Sequence, residues 1–477
     1  MNKKDFSNYG TWASAGALLL FIPACHGEKK DQTRHLPNII LIVSDDQGYN
    51  DIGIYGGTEI LTPNLYELAR EGIRFTNFYV TAAACTPSRS SLLTGRYPQR
   101  NGTYELFRNN RVNDGHRYTT YEYSVSPERV LGMDLKEILI SDLLKVAGYV
   151  NGIFGKWDLG QLKRHLPLQR GFDQFYGFTN TGIDYYTHER YGTPSMYRDN
   201  EPTTEDKGIW CDLLFEREAL RFVKENHGHP FFLYLPFFAP HTHSNFDPGR
   251  RRTFPAPQEY LDLYPELYTQ QESRRAGYMA AVSLMDNAIG NVLNLVESLG
   301  LRENTIVIFL SDNGGQTNVA DNSPLSGGKA TMKEGGVRVP MIISWPGKIG
   351  KGLVADNFLS SLEIFPTILA VAGIEKPADL ALDGFNIMPL LTEGFDVERD
   401  DMFWEFREEF AARVGNLKWI KSDRGREGGL FDLSVDIAEE NDLSEKLPDD
   451  LNRIETKFYQ WQKEMNDAEP RGPFRDF

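Results

Sequence analysis

Cysteine is scarce in this chain, three in 477 residues, and one of the three opens a run built for chemistry: Cys85-Thr86-Pro87-Ser88-Arg89, closing at Leu93-Thr94-Gly95-Arg96. Thr86 is the expected N-cap, Pro87 suits the first helical position, and Gly95 is the expected stop, so Ser88 to Thr94 reads as about two helical turns. Cys85 then lies at a helix N-terminus, where unpaired N–H groups and the helix dipole favour an anion. A thiol there would have a lowered pKa and could act as a nucleophile. The plainer reading is a buried cysteine ahead of a short helix.

Carboxylates form a second pattern. Asp45 and Asp46 follow the apolar run NIILIVS, and Asp312 and Asn313 follow TIVIFLS. In open α/β sheets, ligands bind beyond the carboxyl ends of the strands. Three acids and an amide gathered there repel one another without a cation, and hard oxygen ligands suit Ca²⁺ or Mg²⁺. One pair alone reads more readily as a turn or helix cap; two pairs in the same topological position favour a metal.

The elements that must position these groups are legible as apolar runs. YVNGIFGKWD, PFFLYLPFFAPH and VPMIISWPG join the two acidic strands as buried β-segments. Helical patterns lie among them: TPNLYELAREG, DLKEILISDLLKVAG, LFEREALRFVKEN, YMAAVSLMDNAIGNVLNLVESLG and SSLEIFPTILAVAG. Buried strands alternating with helices imply an α/β fold, a large, mostly parallel mixed sheet sandwiched by helices. From about Met402, MFWEFRE, AARVGNLKWIKSD and GGLFDLSVD alternate apolar and polar residues, and LPDDLNRIETKFYQWQKEM is amphipathic. This predicts a smaller C-terminal α+β subdomain on an antiparallel sheet. SGGKAT is not a phosphate-binding loop, because the glycine five residues before Gly328-Lys329 is missing.

The N-terminus has Lys3 and Lys4, an apolar run from Trp12 to Ile22, then Ala24 and Cys25. That is an export signal. Its IPAC ending resembles a bacterial lipobox, making Cys25 the expected lipidated residue, a reading favoured over a plain cleaved signal. The expected organisation is a signal at 1–24, a linker at 25–37, a catalytic domain at 38–400 and the C-terminal subdomain at 401–477. Export permits disulfides, so a Cys85–Cys211 bridge is conceivable, although Cys211 reads as a buried small hydrophobe. The net charge of −16 argues against nucleic-acid binding, and an anionic substrate would need a local cluster of cations.

Cys-x-Pro-Ser-Arg followed by Leu-Thr-Gly-Arg resembles the signature of the formylglycine-dependent sulfatases of the alkaline-phosphatase-like superfamily. The resemblance extends from NIILIVSDDQG to GLFDLSVDIAEENDL. It implies that Cys85 is oxidised to Cα-formylglycine by a maturation enzyme, and so is neither a thiol nucleophile nor a disulfide partner. It implies that Asp45, Asp46, Asp312, Asn313 and position 85 hold a divalent metal, most often Ca²⁺, with Mg²⁺ the alternative. Arg89 matches the residue that steadies the formylglycine hydrate. Lys156, His241 and Lys329 match residues that hold sulfate and handle protons, although each alone would be an ordinary structural residue. The family usually has histidine where this chain has Asp158, which is either a replacement base or an adjustment that reshapes the site.

The implied reaction is attack of the hydrate on sulfur, with His241 or Lys329 protonating the leaving oxygen. The implied partner is a sulfated carbohydrate or aryl sulfate, met in the periplasm or at the cell surface by a lipid-anchored bacterial enzyme. The competing readings are a phosphodiesterase or phosphonate-ester hydrolase of the same superfamily, and a non-catalytic sulfated-glycan-binding lipoprotein. Tyr104, Tyr118, Tyr121, Tyr123, Tyr185, Tyr186 and Tyr191 fall in expected rim loops, where aromatic faces could stack on sugars.

Overall fold

The computed structural model describes residues 36–108, 116–244, 254–267, 273–422 and 428–468. The expected export signal, Cys25 and most of the 25–37 linker lie outside the described residues.

Ten strands form one mixed sheet. They are β1 (Asn38–Ser44), β2 (Ile73–Phe75), β3 (Val150–Lys156), β4 (Gln174–Phe178), β5 (Met196–Arg198), β6 (Glu201–Pro202), β7 (Phe231–Pro236), β8 (Thr305–Ser311), β9 (Met341–Ser344) and β10 (Leu353–Ala355). Their order is β10-β2-β9-β8-β1-β7-β3-β4-β5-β6. The central run β8-β1-β7-β3-β4 is parallel throughout. Antiparallel pairings at β8–β9, β9–β2 and β4–β5 make the sheet mixed.

The apolar runs show no alternation because both sheet faces are covered. Successive side chains point to opposite faces. Ile40 and Ile42 of β1 therefore join Leu233, Leu235, Val307 and Phe309 under the helices Cys211–Asn226 and Ser273–Ser298. Ile39, Leu41 and Val43 join Phe232, Ile306 and Ile308 on the other face. The helices Cys85–Thr94, Ile140–Val146 and Ile364–Ala372 cover that face through Leu93, Leu144 and Ile368. The expected helix over DLKEILISDLLKVAG is shorter than its pattern. It begins at Ile140, where the Asp142 carboxylate accepts the Leu139 N–H at 2.9 Å and sets the start.

The C-terminal sheet is separate from the large one. Strands β11 (Asp401–Phe406), β12 (Glu409–Val414), β13 (Leu417–Ser422) and β14 (Gly429–Asp432) pair antiparallel in chain order. The helix Pro448–Asp467 buries Ile454, Phe458 and Trp461 against it. The same core takes in Tyr79, Ala83 and Ala84, so the C-terminal sheet packs against the segment that leads into Cys85.

Candidate active site

The parallel register sets Ser44 of β1 beside Ser311 of β8, so Asp45-Asp46 and Asp312-Asn313 leave the sheet side by side. The Asp46 N–H donates to Asp312 Oδ1 at 3.2 Å and Asn313 Nδ2 to Asp46 Oδ1 at 2.8 Å. Asp46 has φ +65°, a conformation rare outside glycine, and it turns the chain sharply at the strand end. The neighbouring strands end at the same edge. Lys156 closes β3, and His241 follows β7 after the Phe237–Pro240 segment.

Helix Cys85–Thr94 delivers position 85 to these acids. Its start differs from the expected one: Ala84 is the N-cap, Cys85 is the first helical residue, and no side chain caps it. Thr86 is not the cap because its hydroxyl is engaged elsewhere, donating to Asp158 Oδ2 at 2.9 Å. Gly95 ends the helix as expected, in the left-handed conformation at φ +65°. The Cys85 sulfur lies 3.3 Å from Asp45 Oδ1 and 3.8 Å from Asp46 Oδ1. Burial, reinforced by Asp45, pushes this thiol well above its ordinary range, so the helix N-terminus does not yield an activated thiolate. Cys85 and Cys211 are both buried free thiols, with no bridge between them.

Cations interleave with the acids. Arg89 Nε and Nη2 each lie 2.8 Å from Asp312 Oδ2, and Nη2 also faces Asp45 at 3.6 Å. Lys156 Nζ is 2.7 Å from Asp45 Oδ2 and 3.7 Å from Asp158 Oδ2. Lys329 Nζ sits 2.6 Å from Asp46 and 3.5 Å from the Cys85 sulfur. Burial works against the charged form of each lysine, but Asp45 beside Lys156 and Asp46 beside Lys329 outweigh it and keep both protonated. Burial would raise Asp46; the ammonium of Lys329 and the ring of His241 hold it well below the usual carboxylate range. Asp312 moves the other way, to about 6, through burial and the nearby Asp45 charge.

His241 Nδ1 is 2.6 Å from the Thr242 carbonyl, which leaves Nε2 facing Asp46 at 3.6 Å. Burial and Lys329 depress its pKa well below normal. Asp158 is fully buried with φ +59°, and its Oδ1 has no partner among the described residues. Its pKa is raised by burial against the pull of Lys156 and Arg89.

The catalytic and metal-ligand candidates expected from the sequence thus lie close together. Donor atoms of Asp45, Asp46, Cys85 and His241 lie within 4.8 Å of one another. Asn313 Oδ1 is buried there without a hydrogen-bond donor among the described residues. An oxygen-rich set with an unsatisfied amide oxygen fits a hard divalent cation.

Two contributors, Gln316 and Asp212, escape sequence reasoning, and Tyr185 has a role other than the expected one. Gln316 donates to Asp46 Oδ2 at 3.1 Å. Asp212 Oδ1 accepts the N–H groups of Phe238 and Ala239 at 2.8 and 3.2 Å, clamping the segment before His241. In the sequence it is only a first-turn helix acid. Tyr185 donates to the carbonyls of Phe238 and His241 at 3.1 and 2.7 Å and stacks on Trp210 with ring centroids 3.9 Å apart. It is therefore a support for His241, not an exposed sugar platform. Tyr123 is buried too, whereas Tyr121 is 76% exposed.

Comparison with known proteins matches this geometry. The sulfatase family model covers residues 37–374, and a model of the N-sulphoglucosamine sulphohydrolase C-terminal region covers 328–461. The human N-acetylgalactosamine-6-sulfatase is 35% identical over 399 residues, 80% of this chain and 71% of that protein. Human arylsulfatase A is 33% identical over 422 residues, spanning 80% and 74% of the two chains. Among solved structures, Ps i-CgsB in complex with k-i-k-neocarrahexaose superposes with a TM-score of 0.76 at 30% identity, covering 90% of this chain and 93% of that one. With the signature helix, the paired strand-end acids and matches of this extent, the chain belongs to the sulfatase family and is a sulfuric ester hydrolase of alkaline-phosphatase-like fold.

Proposed function

We propose that this protein removes O-sulfate groups from a sulfated glycan, using position 85 as a Cα-formylglycine and Ca²⁺ as the metal. The observation that carries the reading is the convergence of Asp45, Asp46, Asp312 and Asn313 with Arg89, Lys156 and Lys329 around one buried cysteine at a helix N-terminus. The cation and the hydrated aldehyde would supply the nucleophilic oxygen.

The chain's own residues do the rest. Arg89, fixed between Asp312 and Asp45, holds positive charge beneath position 85. Lys156 and Lys329 face it with ammonium groups and offset the charge of the sulfate oxygens. Donors already aimed at developing charge need no reorganisation during the reaction. The proton for the leaving oxygen is assigned to Lys329, whose ammonium borders Asp46; His241, with Nδ1 held by the Thr242 carbonyl and its pKa depressed, offers Nε2 as an acceptor instead. Asp158, tied to Thr86 and Lys156, retains one free carboxylate oxygen with which to accept a proton.

A glycan substrate is supported by the relatives named N-acetylgalactosamine-6-sulfatase and by the neocarrahexaose complex of Ps i-CgsB. Export, with Cys25 as a lipid anchor, suits such a substrate. Intact-mass measurement of the purified protein tests the modification, with conversion of Cys85 expected. Matched aryl sulfate and phosphate esters, followed by a panel of position-specific sulfated monosaccharides, test the chemistry. An unmodified cysteine, or faster phosphate than sulfate release, would overturn the reading.

A further inference from the structure

Lys329 reaches the site from a loop rather than from a strand end. The loop closes on itself where the Gly335 N–H donates to the Ser326 carbonyl at 2.7 Å. Nearer its tip, the Lys329 N–H donates to Gly315 O at 3.1 Å, and the Ala330 N–H to Ala83 O at 2.9 Å. The fold of the loop is tight: a Cβ at Gly336 would lie 2.0 Å from the Thr331 carbonyl oxygen.

The base of this loop is held from the C-terminal region. Glu439 Oε2 accepts both the Ser326 hydroxyl at 2.7 Å and the Glu334 N–H at 2.8 Å. Glu439 Oε1 lies 2.9 Å from Lys418 Nζ, which also donates to Glu334 Oε1 at 2.8 Å. Glu334 Oε2 accepts from Tyr79 Oη at 2.6 Å and from Arg338 at 3.2 Å. Lys418 and Glu334 are fully buried, and Glu439 is 3% exposed. Glu439 also has φ +56°, a strained backbone that persists only where its surroundings fix it. Buried ion groups are a costly way to hold two surfaces together, and apolar packing would serve as well. What the carboxylate adds is direction, because it brings the two ends of the Lys329 loop to one point.

We propose that Glu439 and Lys418 are positioning residues for Lys329: the C-terminal region, with Lys418 on β13 and Glu439 beyond β14, fixes through one carboxylate where the Lys329 ammonium lies over Asp46 and position 85. This rests on the reading of Lys329 as a site residue.

A double-mutant cycle on the full chain tests it. Glu439→Gln, and the milder Ser326→Ala, should lower kcat/KM for an aryl sulfate by on the order of 10- to 100-fold, the scale of a misplaced reacting group. Both should weaken inhibition by inorganic sulfate. In a Lys329→Ala background neither change should cost anything further, because contacts acting through one residue are not additive. Equal losses in both backgrounds, or a lowered melting temperature with unchanged kinetics, would overturn the link while leaving Lys329's role standing. Full activity of Lys329→Ala alone would overturn both.

Discussion

Two buried ionic clusters lie on either side of the segment Tyr79–Cys85, and they differ in how completely they are closed. Around Glu334, Glu439 and Lys418, both oxygens of Glu334 and Oε2 of Glu439 accept hydrogen bonds within 3.2 Å, and Glu439 Oε1, which accepts none, is compensated by the Lys418 ammonium at 2.9 Å. Around Asp45, Asp46 and Asp312 the balance is incomplete: Asn313 Oδ1 and Asp158 Oδ1 are buried without a hydrogen-bond donor among the described residues. The same residue types therefore make an anchor in one place and a reactive cleft in the other. Left-handed backbone occurs in both, at Asp46, Asp158 and Ala330 in the second and at Glu439 in the first, so it is the uncompensated polar atoms that mark the second kind.

That contrast can be broken by substitution. Cys85→Ala should lower sulfate release from an aryl sulfate by at least ~10³-fold with little change in thermal midpoint, as loss of a nucleophile does. A variant that retains wild-type turnover would place the chemistry elsewhere. Lys156→Ala should cost on the order of 10²- to 10³-fold in kcat, the usual effect of removing one preorganised charge. A change confined to KM would make Lys156 a binding group only.

The smallest effect should come from the closed cluster and should depend on pH. Burial would raise the Glu334 carboxyl, but Lys418 and Arg338 outweigh it and lower its pKa from 4.5 to about 2. A carboxyl with a depressed folded-state pKa stabilises fully above its unfolded value, and that contribution is lost as pH falls towards the folded value. The gap in thermal midpoint between wild type and Glu334→Gln should therefore be widest near neutrality and narrow below about pH 4.5. A gap that stays constant with pH would mean that the ionised form of Glu334 is not what stabilises the fold.

The central sheet is readable in the sequence because its strands are apolar on both faces and end in acids. β1 and β8 are found that way, and so are the residues they carry. The Cys85 helix is found from its proline and Gly95, although its first residue is misjudged because Thr86 has a tertiary partner, Asp158, seventy-two positions away. Lys418 is the clearest loss. In LKWIKS it looks like the solvated position of an alternating strand, and only the fold shows two buried carboxylates waiting for it. Asp212 is hidden for the same reason, since the N–H groups it accepts from, those of Phe238 and Ala239, are brought to it by β7.

β1 carries a further consequence. Its inward and outward faces are equally greasy, so sliding it by one residue would exchange two interchangeable sets of aliphatic side chains at little apolar cost. Something else must choose the alignment. Asn38, at the end of the strand far from the acids, donates to Thr305 Oγ1 at 3.2 Å and accepts the Phe231 N–H at 3.3 Å, reaching both neighbours at once. An amide some 20 Å from the active edge, by the ordinary rise of a strand, thereby ties β1 to both neighbours at one end, as the Asp46 N–H ties it to Asp312 at the other.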